Sequence, residues 1–159
     1  RQKIHFVTHS MGGIILRQLL SDQSSKYNTM LANRIGRVVM LAPPNQGSEV
    51  VDYFRSWKLF KKIVGPAGLQ LGTDRKSKPN TLGAVDFELG VIAGTRSIDP
   101  LGSLLIGQPN DGKVSVASAK VEGMKDFVAV ASSHTFIMNS SKVAQQIESF
   151  LKNGKFLPL

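Results

Sequence analysis

The stretch Ile4-His5-Phe6-Val7-Thr8-His9-Ser10-Met11-Gly12-Gly13 decides how the rest of the chain is read. Its first five residues are a short β-prone run, and they meet a tight turn at His9-Ser10-Met11-Gly12-Gly13. Behind the turn, Ile14, Ile15, Leu16, Leu19 and Leu20 recur at helical spacing until a polar stretch over 21–25. A Ser in so tight a strand-to-helix turn, flanked by small residues, is pushed into a strained and exposed conformation. Its hydroxyl then lies at the N-terminus of the following helix, whose unbonded N–H groups and dipole favour an oxyanion. The backbone N–H of Met11 is one such donor. The plainer reading of Ser10 is a helix N-cap. What separates the two is whether a base and an acid follow.

Working outward, 38–42 (Val-Val-Met-Leu-Ala) is a continuous apolar run bounded by Pro43-Pro44, as expected of a strand buried on both faces. Residues 89–94 and 127–130 read as two more strands, and 140–151 as a closing amphipathic helix with Val143, Ile147, Phe150 and Leu151 inward. Strands alternating with helices predict an α/β domain with a mostly parallel sheet and flanking helices. Residues 53–86 break the alternation. Tyr53, Phe54, Trp57, Leu59 and Phe60 are interleaved with Arg55, Lys58, Lys61 and Lys62, followed by a Gly- and Pro-punctuated loop to Pro79. This segment reads as a small cap-like insertion over the strand ends, its aromatics covering the core and Trp57 and Phe60 candidate substrate contacts.

A Ser hydroxyl is a weak nucleophile without a base and an orienting acid. The chain holds three His. His5 lies within the first strand, and His9 adjoins the Ser with its ring directed away, so both read as structural, bonded locally. His134 follows the last strand, at the end where a parallel sheet gathers its functional loops. It is the best candidate base. Asp111 is favoured as the acid because Asn110-Asp111-Gly112 makes a tight turn that projects a carboxylate. Asp99 competes, although Asp99-Pro100 reads as ordinary loop.

Taken together, Thr8-His9-Ser10-Met11-Gly12-Gly13, the run Ala42-Pro43-Pro44-Asn45-Gln46-Gly47-Ser48, Asp111-Gly112-Lys113-Val114 and Ser133-His134 resemble the C-terminal half of a bacterial α/β-hydrolase of the lipase/esterase type. The resemblance covers essentially the whole chain. It implies a partial α/β-hydrolase fold in a single domain, 1–159, with Ser10 as nucleophile, Asp111 as acid and His134 as base. It also implies hydrolysis of lipid-like or medium-chain acyl esters, with no cofactor and no metal. Two departures stand out. Thr8 occupies a position where the family usually has Gly, which crowds the turn. The family's N-terminal strands, and the loop that gives a second oxyanion N–H, are absent, so the nucleophile strand is expected at an exposed sheet edge.

The composition agrees with a globular domain. At 159 residues with 42% apolar and 19% charged content the chain is of single-domain size and is not disordered. Absence of Cys excludes disulfides and Cys-ligated metal sites. No apolar run approaches the roughly 20 residues of a membrane span. The opening Arg1-Gln2-Lys3, leading straight into a strand, reads as a fragment or processed piece rather than a leader peptide, with a slight lean toward the cytoplasm. The net charge of +9 is concentrated between Arg55 and Lys78, which suits an anionic membrane surface or a plain solvated face. No nucleic-acid reader motif is present. Two other functions fit the same scaffold: a basic interaction module without turnover, and an acyltransferase or amidase using the same three side chains.

Overall fold

The computed structural model of the protein describes residues 2–21 and 34–159, excluding the side chains of 59–61, 63 and 64. The expected polar stretch beyond Ser21 and the side chain of Phe60 lie outside the described residues. Strand β1 (Ile4–His9) runs through Ser10 into α1 (Met11–Ser21). Strand β2 (Ile35–Leu41) is followed by α2 (Glu49–Phe54), α3 (Lys58–Gly68) and α4 (Lys78–Thr81). Then come β3 (Leu89–Gly94), α5 (Pro100–Ile106), α6 (Val116–Ala119) and β4 (Asp126–Val130). A 3₁₀ turn at Ile137–Asn139 leads into α7 (Ser141–Asn153).

Among the described residues the strands form one sheet in the order β1-β2-β3-β4, every neighbouring pair parallel. The predicted strands are all present, and β1 is at an edge, as expected. The register aligns the carboxyl ends: His9 lies opposite Leu41, Leu41 opposite Ile92, and Gly94 opposite Val130. Loops leaving those ends therefore converge on one rim of the sheet, where Ser10, Asp111 and His134 sit.

Side chains alternate across each strand, so a run apolar at every position feeds two cores. Val38, Met40, Leu89 and Val91 pack on one face with Leu16 and Ala119. Val39, Leu41, Ile92 and Val128 pack on the other with Val143 and Phe150. Gly90 is needed for the second: a Cβ there would lie 2.8 Å from the Phe150 ring.

The segment between β2 and β3 differs from the expected loop. Helix α3 extends to Gly68, and its break at Gly65 (φ 70°, ψ 175°) falls directly before Pro66. Proline lacks an N–H and has a fixed φ, so it starts a new helical turn where it would interrupt an old one. Trp57 does not cover the core. It is 55% exposed and meets the Phe54 ring edge-on at 4.8 Å.

Candidate active site

Ser10 occupies the turn between β1 and α1 with φ 52°, one of only two positive-φ non-glycine residues among those described. The strain expected from the sequence is present. Two hydrogen bonds hold the turn: the Ser10 N–H donates to Leu41 O at 2.8 Å, and the Gly13 N–H to Ser10 O at 3.1 Å. Thr8 does not crowd the turn: even a Cβ on Gly12 would meet Thr8 Cβ at 3.6 Å, ordinary contact. The hydroxyl of Thr8 is buried without a partner, a cost on the order of 1–3 kcal/mol that a Gly here would not incur. Met11 opens α1, so its N–H is among those a helix leaves unbonded.

Asp111 leaves the loop after α5 in the Asn110-Asp111-Gly112 turn. Asn110 Oδ1 accepts the Gly112 N–H at 2.8 Å, and Asp111 Oδ1 accepts the N–H groups of Lys113 (3.0 Å) and Val114 (2.8 Å). The carboxylate is 2% exposed, and these bonds fix its orientation. Gly94, at the end of β3, lets it approach: a Cβ there would lie 2.8 Å from Asp111 Cβ. The other oxygen, Oδ2, accepts a hydrogen bond from His134 Nδ1 at 2.8 Å. His134 Nε2 in turn accepts the Ser10 hydroxyl at 2.9 Å. Its own N–H donates to Asp111 O at 3.0 Å, tying the two loops at backbone level as well.

The structure thus brings together Ser10, Asp111 and His134, which are separated by up to 124 positions in the chain. Asp99 is not among them. Its carboxylate caps α5, accepting the Gly102 N–H at 3.0 Å, so it is a helix start rather than ordinary loop. His5 is structural as expected, its Nδ1 accepting the Arg37 N–H at 2.9 Å. His9 differs from its expected role. It is turned toward His134, with ring centroids 4.9 Å apart, and its Nε2–H donates to the His134 carbonyl at 3.0 Å. Burial, and next the neighbouring imidazole of His134, lower the pKa of His9 below its ordinary value.

Arg17 was not foreseen. It is 3% exposed, and it donates to Asn45 O and Asn45 Oδ1 (both 3.1 Å) and to Gly83 O (2.6 Å). No carboxylate is among these partners, and burial lowers its pKa to about 10. It ties α1 to the loop after β2, where Asn45 Nδ2 bonds Ala119 O at 2.8 Å and Ser48 Oγ bonds Lys113 O at 2.7 Å. The sequence signal was a cation interrupting the apolar face of α1 between Ile14 and Leu20.

A cleft of about 250 Å³ opens over Ser10 and His134, walled by Met11, Val51, Leu71 and Lys113. Trp57 is not part of its lining. A hydroxyl hydrogen-bonded to an imidazole, itself oriented by a buried carboxylate, beside a free helix N–H, can perform nucleophilic attack with proton transfer. Among the described residues no group of His, Asp and Glu is placed to hold a metal ion. No described helix is long and apolar enough to cross a membrane.

No protein-family model and no curated protein matches the chain. Solved structures do. The mature lipase BlEst2 of Bacillus licheniformis superposes with a TM-score of 0.68 over 95% of this chain and 65% of its own, at 20% identity. A metagenomic carboxyl esterase superposes with a TM-score of 0.67 over 83% of this chain and 45% of its own, at 21% identity. The phospholipase PlaB of Legionella pneumophila gives 0.55 over 75% and 29%, at 24% identity. The chain spans less than two-thirds of the length of each. Its parallel sheet with flanking helices is a partial α/β-hydrolase fold.

Proposed function

We propose that this chain carries the catalytic centre of a serine hydrolase acting on carboxylic esters, lipid-like or of medium acyl length. Ser10 Oγ attacks the ester carbonyl carbon while its proton passes to His134 Nε2. Asp111 holds the imidazole with Nδ1–H toward Oδ2 and stabilises the imidazolium that forms. The Met11 N–H donates to the developing oxyanion. The imidazolium then protonates the departing alkoxide, leaving an acyl-Ser10, and water repeats the sequence to release the acid.

The observation that carries this reading is the unbroken hydrogen-bond chain Ser10 Oγ, His134, Asp111 Oδ2, at 2.9 and 2.8 Å. The lipase, carboxyl esterase and phospholipase among the structural neighbours support it. In the related family a second oxyanion donor comes from the N-terminal part of the fold, and one such donor is worth about 10²–10³ in turnover. Reactivity of Ser10 is therefore best read by covalent labelling as well as by turnover. A fluorophosphonate should label the wild-type chain at Ser10, and Ser10→Ala should abolish both the label and hydrolysis of p-nitrophenyl butyrate. Butyrate ester hydrolysis by Ser10→Ala at the wild-type rate would remove the proposal.

A further inference from the structure

We infer that the acyl chain of the substrate leaves the Ser10 cleft past Met11 and Leu71 and lies in a groove between α1 and the β2–β3 insert, which favours acyl groups of about eight carbons. This rests on Ser10 being the nucleophile. The groove holds about 180 Å³ and lies next to the Ser10 cleft, with Met11 and Leu71 lining both. Along α1 it is walled by Met11, Ile14, Ile15 and Gln18. That i, i+3, i+4, i+7 spacing places them on one helix face.

The direction follows from the proton transfers. His134 must reach the departing alkoxide oxygen, so the alcohol part of the ester occupies the end of the cleft that His134 and Lys113 line. Neither residue lines the groove. The other substituent of the carbonyl, the acyl chain, is the one that enters it. Ile15 then has a use: it is a large apolar side chain 59% exposed on the groove wall, and core packing does not account for it.

The length limit comes from the far end. From Met11 to Gln18 the helix rises about 10 Å, which matches an extended chain of roughly eight carbons. There the α1 wall turns polar at Gln18. Gln18 Oε1 is already buried without a partner. An alkyl chain reaching that far offers this oxygen no partner and has left the apolar wall, so the added carbons gain little.

Full burial of a methylene is worth about fourfold in binding, and a groove open on one side about half of that energy, or roughly twofold. The test uses p-nitrophenyl alkylphosphonates with alkyl chains of 2, 4, 8 and 12 carbons. Ser10 Oγ forms the bond to phosphorus as p-nitrophenolate leaves, and intact-mass spectrometry gives the rate. Labelling should rise about 60-fold from 2 to 8 carbons and rise no further at 12. Ala67→Trp, at an exposed position of the groove wall, should reduce the 8-to-2 ratio to within threefold. Ile15→Gln should lower it by a smaller factor. An unchanged ratio in both variants, or no chain-length dependence in the wild type, overturns the groove while leaving Ser10 as nucleophile. No labelling by any of the probes removes the Ser10 reading and the groove with it.

Discussion

The rim of the sheet and the insert between β2 and β3 lie side by side, yet their polar groups are treated in opposite ways. On the rim Ser10, His134 and Asp111 are bonded in one chain, and His134 and Asp111 are buried. Asp111 accepts three hydrogen bonds, two from backbone N–H groups and one from His134. In the insert the charges are solvated and loosely paired. Arg55 lies 4.0 Å from Asp52 and 3.8 Å from Asp74, with all three side chains substantially exposed. Such surface pairs contribute about 0–1 kcal/mol each, whereas a buried charge-assisted bond contributes about 1.5–3 kcal/mol. The lesson is a division of labour: geometry that must hold to a fraction of an ångström is attached to strand ends, and the solvated surface of the insert is not.

The sharpest way to break this contrast is to change one side chain in each region. Asp111→Asn replaces an acceptor facing His134 Nδ1 with an amide, which favours the wrong imidazole tautomer, and ester turnover should fall by about 10³–10⁴-fold. Lys58→Ala in the insert should leave turnover within twofold. Comparable losses in the two variants would show that the insert takes part in the chemistry and that the division is false.

Arg17 joins the two regions, since it bonds both the loop after β2 and Gly83 at the end of the insert. Arg17→Ala removes charge-assisted bonds, strands three acceptors and leaves a cavity, so urea unfolding should lose about 3 kcal/mol at unchanged m-value. Arg17→Lys should recover less than half of that, because a point charge cannot fork between Asn45 and Gly83. A loss under 1 kcal/mol for the Ala variant would mean that Arg17 is not what holds the regions together.

The strands and the Ser10 turn were legible because hydrophobic periodicity and small residues are local signals. Asp111 was legible for the same reason, through the Asn-Asp-Gly turn. Asp99 carried a readable cap signature, Asp followed by Pro at the first helical position, which its reading as loop passed over. Helix α3 was hidden by Gly65-Pro66, which marks a break between two helical turns as readily as a loop. Arg17 and His9 were opaque for a different reason. Their partners lie 28 to 125 positions away, and no local pattern encodes a contact of that range.

His9 offers the smallest and most discriminating test, because it supports the rim without belonging to the hydrogen-bonded chain. Its Nε2–H fixes the His134 carbonyl, and its ring lies against the imidazole. His9→Phe keeps a ring and loses the donor, so turnover should drop about tenfold, the worth of one ordinary hydrogen bond, with KM little changed. The variant should also alter the response to acid. Since burial and His134 lower the pKa of His9 below 6.5 in the folded chain, the unfolded chain binds more protons at this ring. Its contribution to stability is therefore complete above about pH 6.5 and is lost as the pH falls from there toward the lowered native value. Between pH 7.5 and 5.5 the wild-type melting temperature should fall further than that of His9→Phe. Equal falls, with turnover unchanged, would reduce His9 to a neighbour of the site without influence on it.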